Sequence, residues 1–158
     1  MAVASYAVTP RPLADIPIPA PGGKTIQLSQ YRGKVLLLVV VLTDCLDCAT
    51  SAEMLERLQK EYGKNFQVVA VAVNAEAPQQ TATFRESHHL TYPVGFLTDA
   101  NAIMKLVDFK KPEHPLSPIY MFVDKKGTVR YQVNKNDESF YKKEEAHVRT
   151  LIEAYLKE

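Results

Sequence analysis

Residues 35–42 are built only of Val and Leu. A strand with one wet face alternates apolar and polar residues, whereas a strand covered on both faces reads as a continuous apolar run. The run is far shorter than the roughly 20 residues a membrane-spanning helix needs. It is therefore predicted as a central strand with helices packed on both sides. The pattern changes at Thr43 and Asp44. From Cys45 to Tyr62 the apolar positions Ala49, Ala52, Leu55, Leu58 and Tyr62 recur at helical spacing, and Gly63 supplies a stop.

The rest of the chain repeats this alternation. Residues 66–73 read as a second buried strand, 79–90 as a helix with His88 and His89 near its end, and 92–97 as a short strand entered through Pro93. A short helix follows over 100–107. Residues 119–123 and 128–133 flank a turn whose left-handed position is Gly127, a hairpin pattern. A final amphipathic helix is predicted over 138–156, with Val148, Leu151, Ile152 and Tyr155 facing inward. Near the start, 25–28 alternates like an edge strand and 29–33 reads as a helical turn or loop. Five of the ten prolines (Pro10, Pro12, Pro17, Pro19 and Pro21) precede the turn at Gly22 and Gly23. Residues 1–21 are thus expected as an irregular arm, and 22–158 as one domain. Strands joined by helical crossovers pair in parallel and a hairpin adds antiparallel strands, so the sheet should be mixed.

Charge and cysteine content narrow the function. Lys plus Arg is 19 and Asp plus Glu is 18, a formal net charge of +1, which leaves no electrostatic footprint for nucleic acid. The 158 residues suffice for a core without disulfide staples. Two cysteines are too few for a disulfide scaffold, so their role should be chemical. No basic stretch followed by a long apolar region precedes residue 20, so no complete secretion signal is expected.

The chemistry concentrates in Cys45-Leu46-Asp47-Cys48, where a buried strand gives way to a helix. A spacing of three sets both sulfurs on one face of the opening turn, within reach of a disulfide. The free amides and positive partial charge of a helix N-terminus favour a thiolate on Cys45. Cys48, one turn inside, should be less exposed. Cys45 is then expected to attack a substrate disulfide and Cys48 to resolve the mixed disulfide. The competing structural reading is two inert small hydrophobes, but a core has no need to pair cysteines at a helix start. A zinc or copper site would need ligands from His88, His89, His114 and His147, and no second CxxC or closely spaced His pair completes a set, so no metal is expected. Singly, each histidine reads as a surface or helix-cap residue. Before the strand at 119–123 stands His114-Pro115-Leu116-Ser117-Pro118. A proline at a strand start is read here as cis, leaving the Ser117 backbone beside Cys45 to hold an extended peptide.

With these motifs the chain resembles the thioredoxin-like superfamily, in particular the TlpA/ResA-type thiol-disulfide oxidoreductases and their AhpC/TSA-related relatives. Residues 23–35 are similar to the family's "GK-x-x-x-LS-x-x-RGK-x" segment. The CxxC follows the expected strand, 66–73 matches the next one, Ser117-Pro118 stands at the family's cis-proline, and 122–127 resembles its "F-x-D-x-x-G" hairpin. The similarity covers roughly residues 16–156. It implies a thioredoxin-like three-layer α/β/α sandwich, Cys45 as nucleophile, Cys48 as resolver and Pro118 shaping a substrate groove. It also implies a protein thiol or disulfide substrate with an upstream redox partner, no cofactor, and an extracytoplasmic location. The departures are Asp44 where the family has Trp, Leu46-Asp47 where a proline is common, Glu53 at the helix-proline position and Val39 at the buried-acid position.

Asp44 and Asp47 flank the thiols. Like charge disfavours a thiolate and would oppose the helix dipole, making the disulfide relatively stable and the protein reducing. Screened by solvent, the same carboxylates would matter little. Two other functions compete. A peroxiredoxin-like peroxidase would carry Pro-x-x-x-Thr-x-x-Cys, but Leu38 precedes Cys45 by seven and Val41 precedes Cys48 by seven. The other is a thioredoxin-fold binding module with idle cysteines.

Overall fold

The computed structural model describes residues 10–108, 118–133 and 138–158. Its main sheet has six strands: β1 (Arg11–Pro12), β4 (Val35–Val41), β5 (Phe66–Ala72), β6 (Val94–Phe96), β7 (Ile119–Val123) and β8 (Thr128–Val133). Their order is β1-β8-β7-β4-β5-β6. β5 is parallel to both β4 and β6, while β7 is antiparallel to β4 and β8 antiparallel to β7. The mixed sheet expected from the element order is therefore present.

Every residue of β4 is buried, as a run without alternation requires. Its odd-numbered side chains, Val35, Leu37, Val39 and Val41, share a core with the inner faces of α1 (Leu46–Tyr62), α2 (Ala77–Ser87) and α5 (Glu144–Leu156). Its even-numbered side chains, Leu36, Leu38 and Val40, enter a second core capped by α3 (Ala100–Val107). Most of that second layer is not helical. A two-stranded ribbon, β2 (Ile18–Ala20) with β3 (Lys24–Ile26), and a 3-10 turn at Leu28–Tyr31 complete it through Ile18, Ile26 and Leu28.

The described part of the proline-rich stretch is more regular than expected. Arg11–Pro12 pairs with β8, and Ile18–Ala20 pairs with β3 across the turn at Gly22 and Gly23. Proline is tolerated because both segments are edge strands, where a missing amide leaves no ladder bond broken. The Arg11 guanidinium reaches across to the Leu106 carbonyl at 3.2 Å and the Gln132 side chain at 2.9 Å, which pins the segment.

Two helices also differ from the sequence pattern. α2 starts at Ala77, ahead of the expected 79, because Pro78 lies in the first turn, where the missing amide costs nothing. The final helix is broken: α4 (Glu138–Lys142) ends before Lys143, whose φ of −131° and ψ of 46° are not helical. The break lets Phe140 turn onto Tyr120, ring centroids 5.6 Å apart, while Val148 and Ile152 still face the sheet.

Candidate active site

The site lies where β4 runs out. Val41 still accepts the Val73 amide at 3.1 Å, the last bond between these parallel strand ends. Beyond it Thr43 is held from the neighbouring loop: its amide donates to Asn74 Oδ1 at 3.1 Å and its hydroxyl accepts from Asn74 Nδ2 at 2.8 Å. The same hydroxyl donates to Gln80 of α2 at 2.5 Å. The chain then turns, with the Cys45 amide donating to the Leu42 carbonyl at 3.4 Å, and α1 begins.

Cys45 is the N-cap of α1, with extended φ of −102° and ψ of 120°, and not its first helical residue. Its Sγ accepts the Cys48 amide at 3.3 Å, the place a serine or aspartate oxygen takes at most helix starts. A thiolate there would receive the same donor as a charge-assisted bond, aided by the helix dipole. Cys48 is fully buried, and its Sγ accepts the Leu42 amide at 3.5 Å. Cys45 is half-buried, and both are free thiols. One sulfur is thus accessible and the other waits behind it on the same turn.

Leu46, Asp44 and Asp47 surround the pair in a different way. Asp44 and Asp47 are both exposed. Two unit charges about 4 Å apart interact by only about 1 kcal/mol in bulk water, and salt reduces that further, so their pull on the thiols is weak. Leu46, between the cysteines, is 82% exposed and is the only large hydrophobic side chain so exposed among the described residues.

Pro118 is buried at the start of β7, and its carbonyl accepts the Tyr141 hydroxyl at 2.5 Å. Pro118 and Asp47 line one open groove of about 430 Å³, together with Glu138, Tyr141, Lys142 and Glu144. The groove therefore joins the opening turn of α1 to the proline that starts β7. Ser117, expected to offer its backbone there, lies outside the described residues, as does His114.

Several polar groups at this site were not singled out in the sequence. Glu144, in the first turn of α5, accepts the buried Ser51 hydroxyl at 2.6 Å and also the Tyr120 hydroxyl. Burial, reinforced by the Glu144 charge, holds the Tyr120 phenol well above its usual range, so it stays a donor. Tyr120 is the strand partner of Val39. A carboxylate thus approaches this layer from α5 although residue 39 itself is apolar. The available signal was a tyrosine inside an otherwise apolar buried strand, since a buried phenol requires a partner. For Asn74 it was a polar side chain at the end of a buried strand.

The remaining histidines are dispersed. His88 pairs with Glu53 at 2.9 Å, His147 Nδ1 lies 3.2 Å from the Phe140 carbonyl oxygen, and His89 is exposed. Among the described residues no three His, Cys, Asp or Glu side chains gather into a candidate metal site.

Comparison with known proteins adds to this geometry. The family described as Redoxin matches residues 10–152. Thioredoxin-like protein YneN of Bacillus subtilis (strain 168) is 29% identical over 118 residues, which is 73% of this chain and 65% of YneN. The chain therefore spans just under two thirds of that relative's length. "Probable glutathione peroxidase 5" of Arabidopsis thaliana is 28% identical over 124 residues, 70% of this chain and 72% of the relative. The crystal structure of a thiol:disulfide interchange protein, thioredoxin family protein, from Chlorobium tepidum TLS superposes with a TM-score of 0.74 at 18% identity, covering 94% of this chain and 98% of that one. The expected thioredoxin-like fold is borne out by that superposition.

Proposed function

The chain belongs to the Redoxin family, and from that premise we propose that it is a thiol-disulfide oxidoreductase working through Cys45 and Cys48 on protein disulfides. The observation that carries this reading is the asymmetry of the two sulfurs. Cys45 caps α1, half-exposed, with an amide aimed at its sulfur, and Cys48 is buried one turn behind.

In the reducing direction the Cys45 thiolate attacks one sulfur of a partner disulfide. A sulfur–sulfur bond forms, and the partner's other sulfur leaves as a thiolate and takes up a proton. Cys48 then loses its proton and attacks Cys45 Sγ, releasing the second partner thiol. The sum transfers two electrons and two protons to the partner and leaves a Cys45–Cys48 disulfide. The groove between Asp47 and Pro118 would receive the chain flanking the partner's cysteine. An upstream dithiol partner must then restore the two thiols.

The reducing direction is supported by the charges. Among the described residues Asp44 and Asp47 form no ion pair, so no cation neutralises these two carboxylates beside the thiols. Equilibration with glutathione should give a potential below about −200 mV, and a value near the strongly oxidising −120 mV or so would rule the direction out. An extracytoplasmic site of action is proposed from the resemblance to TlpA/ResA-type proteins. No helix among the described residues is long and apolar enough to cross a membrane.

The test uses Cys48→Ala. Incubated with a disulfide-bonded protein, it should accumulate a mixed disulfide at Cys45 that Cys45→Ser cannot form. Two free thiols that survive unchanged in excess hydroxyethyl disulfide would overturn the proposal. The similarity to "Probable glutathione peroxidase 5" favours one second reading, reduction of a peroxide at Cys45. Peroxide consumption by the purified protein with a dithiol reductant, at a rate exceeding its disulfide exchange, would select it.

A further inference from the structure

Leu46 is not explained by the exchange chemistry. A leucine at a helix start contributes nothing to the fold when 82% of it faces solvent, and no other large hydrophobic side chain is so exposed among the described residues. It sits between the two cysteines, next to the half-buried Cys45 and next to Asp47, which lines the groove. Asp44, two residues before it, and Asp47, next to it, are exposed carboxylates that form no ion pair among the described residues. Among the described residues the adjoining groove is lined by the carboxylates of Glu138 and Glu144 and by one cation, Lys142. Glu144 has one oxygen engaged by Ser51 and Tyr120.

We infer that Leu46, ringed by Asp44 and Asp47, is a docking knob for a polypeptide substrate that carries an apolar side chain and a Lys or Arg within a few residues of its reactive cysteine. The inference rests on Cys45 being the attacking thiol. Covering Leu46 removes apolar surface from water, a gain available only to a partner with an apolar side chain at that place. The carboxylates repel an anionic substrate and attract a cationic one, which acts on the encounter rate and falls with salt. Glutathione disulfide, small and anionic, satisfies neither requirement. A second copy of this chain is disfavoured as the occupant, because it would set its own Asp44 and Asp47 against the same two carboxylates.

The test measures second-order rate constants of the fully reduced protein with three disulfides. Two are matched peptide disulfides with Leu beside the cysteine and either Arg or Glu next to it; the third is hydroxyethyl disulfide, small and neutral. The Arg peptide should react about tenfold faster than the Glu peptide at low salt, and 0.5 M salt should erase most of that preference. In Leu46→Ala the ratio of the Arg-peptide rate to the hydroxyethyl disulfide rate should fall about tenfold. In Asp44→Asn/Asp47→Asn the Arg-over-Glu preference should approach one. Equal rates for the two peptides, or an unchanged ratio in Leu46→Ala, overturns the inference while leaving the exchange reading intact. No reaction with hydroxyethyl disulfide sinks the exchange reading and this inference together. A dimer seen by sedimentation that dissociates in Leu46→Ala assigns the knob to self-association and overturns it too.

Discussion

Asn74→Ala removes a clamp that reaches the thiols without touching them. The wild-type side chain holds Thr43 at two points, its amide at 3.1 Å and its hydroxyl at 2.8 Å. Each ordinary hydrogen bond contributes about 1 kcal/mol net, and an amide left without a partner costs a further 1 kcal/mol or so when half-buried. These sum to about 3 kcal/mol, and recovery of part of it by water at so open a loop leaves an expected loss of about 2 kcal/mol. For a chain of this size that corresponds to a melting point lower by about 4–8 °C. Function is affected through the next residue back. Thr43 fixes the turn whose Leu42 amide donates to Cys48 Sγ at 3.5 Å. That bond favours the dithiol, so losing it should make the disulfide relatively easier to keep. A loss of about 1 kcal/mol in the reduced form moves the potential by about 20 mV towards more negative values. Thermal unfolding of the reduced protein and equilibration against glutathione measure the two effects. Thr43→Ala keeps the amide bond to Asn74 and loses the hydroxyl's bonds to Asn74 and Gln80, and the double variant should cost less than the sum, because both single changes delete the bond between the Asn74 amide and the Thr43 hydroxyl. A melting point within 1 °C or so of wild type, or fully additive variants, would refute the clamp.

Two further substitutions test how the fold holds the site. Asp124 closes the β7–β8 turn by accepting the Lys126 amide at 2.9 Å, the Thr128 amide at 3.0 Å and the Arg130 guanidinium at 3.2 Å. Burial pushes its carboxyl up, but the Thr128 amide, Arg130 and the Lys126 amide together hold it below the ordinary 3.8. Its stabilising contribution is therefore complete above the unfolded-state value, near 4, and is lost as pH falls through the lower folded one. Asp124→Asn should be about 1–2 kcal/mol less stable at pH 7 by urea unfolding, with the gap narrowing below about pH 4; a gap constant down to pH 2 counts against this account. Gly95 in β6 leaves no room for a side chain: a Cβ would lie 2.6 Å from Ile18 Cγ2 and 2.7 Å from the Pro19 carbonyl oxygen. Gly95→Ala should cost about 1–3 kcal/mol in the same assay, and a neutral result would mean that the β2–β3 ribbon yields freely.

The features readable in the sequence are those set by short-range pattern. An unbroken Val and Leu run cannot be a half-wet strand, and all of it is buried in β4. The paired sulfurs at the following helix start were legible because an N-cap is a local event, although the pattern put Cys45 one position too far inside the helix. What was not legible depends on residues distant in the chain. Proline density argues for irregular structure, but Pro12 and Pro19 lie in strands because β8 and β3 supply the partners. The final periodicity runs on through residue 143, where a bend serves Phe140 and Tyr120, a pairing that no local count reveals.

The same division of ranges separates the parts of the site. The two sulfurs and Leu46 come from one turn, so their relation is fixed by the spacing of three whatever the remainder does. The groups that hold that turn come from elsewhere: Asn74 from the end of β5, Gln80 from α2, and Glu144, which meets Ser51 across 93 positions of chain. Each is polar, stands near an element end, and touches the loop or helix that carries a cysteine. A sequence exposes the attacking atoms because they must be adjacent, whereas their supports need only be adjacent in space. The substitutions that change reactivity without removing a sulfur should therefore cluster at the C-terminal ends of β4 and β5 and the first turn of α5. Those at the opposite end of the sheet, such as Asp124→Asn in the β7–β8 turn, where Val123 pairs with Leu36 at the start of β4, should change stability and leave the potential where it was.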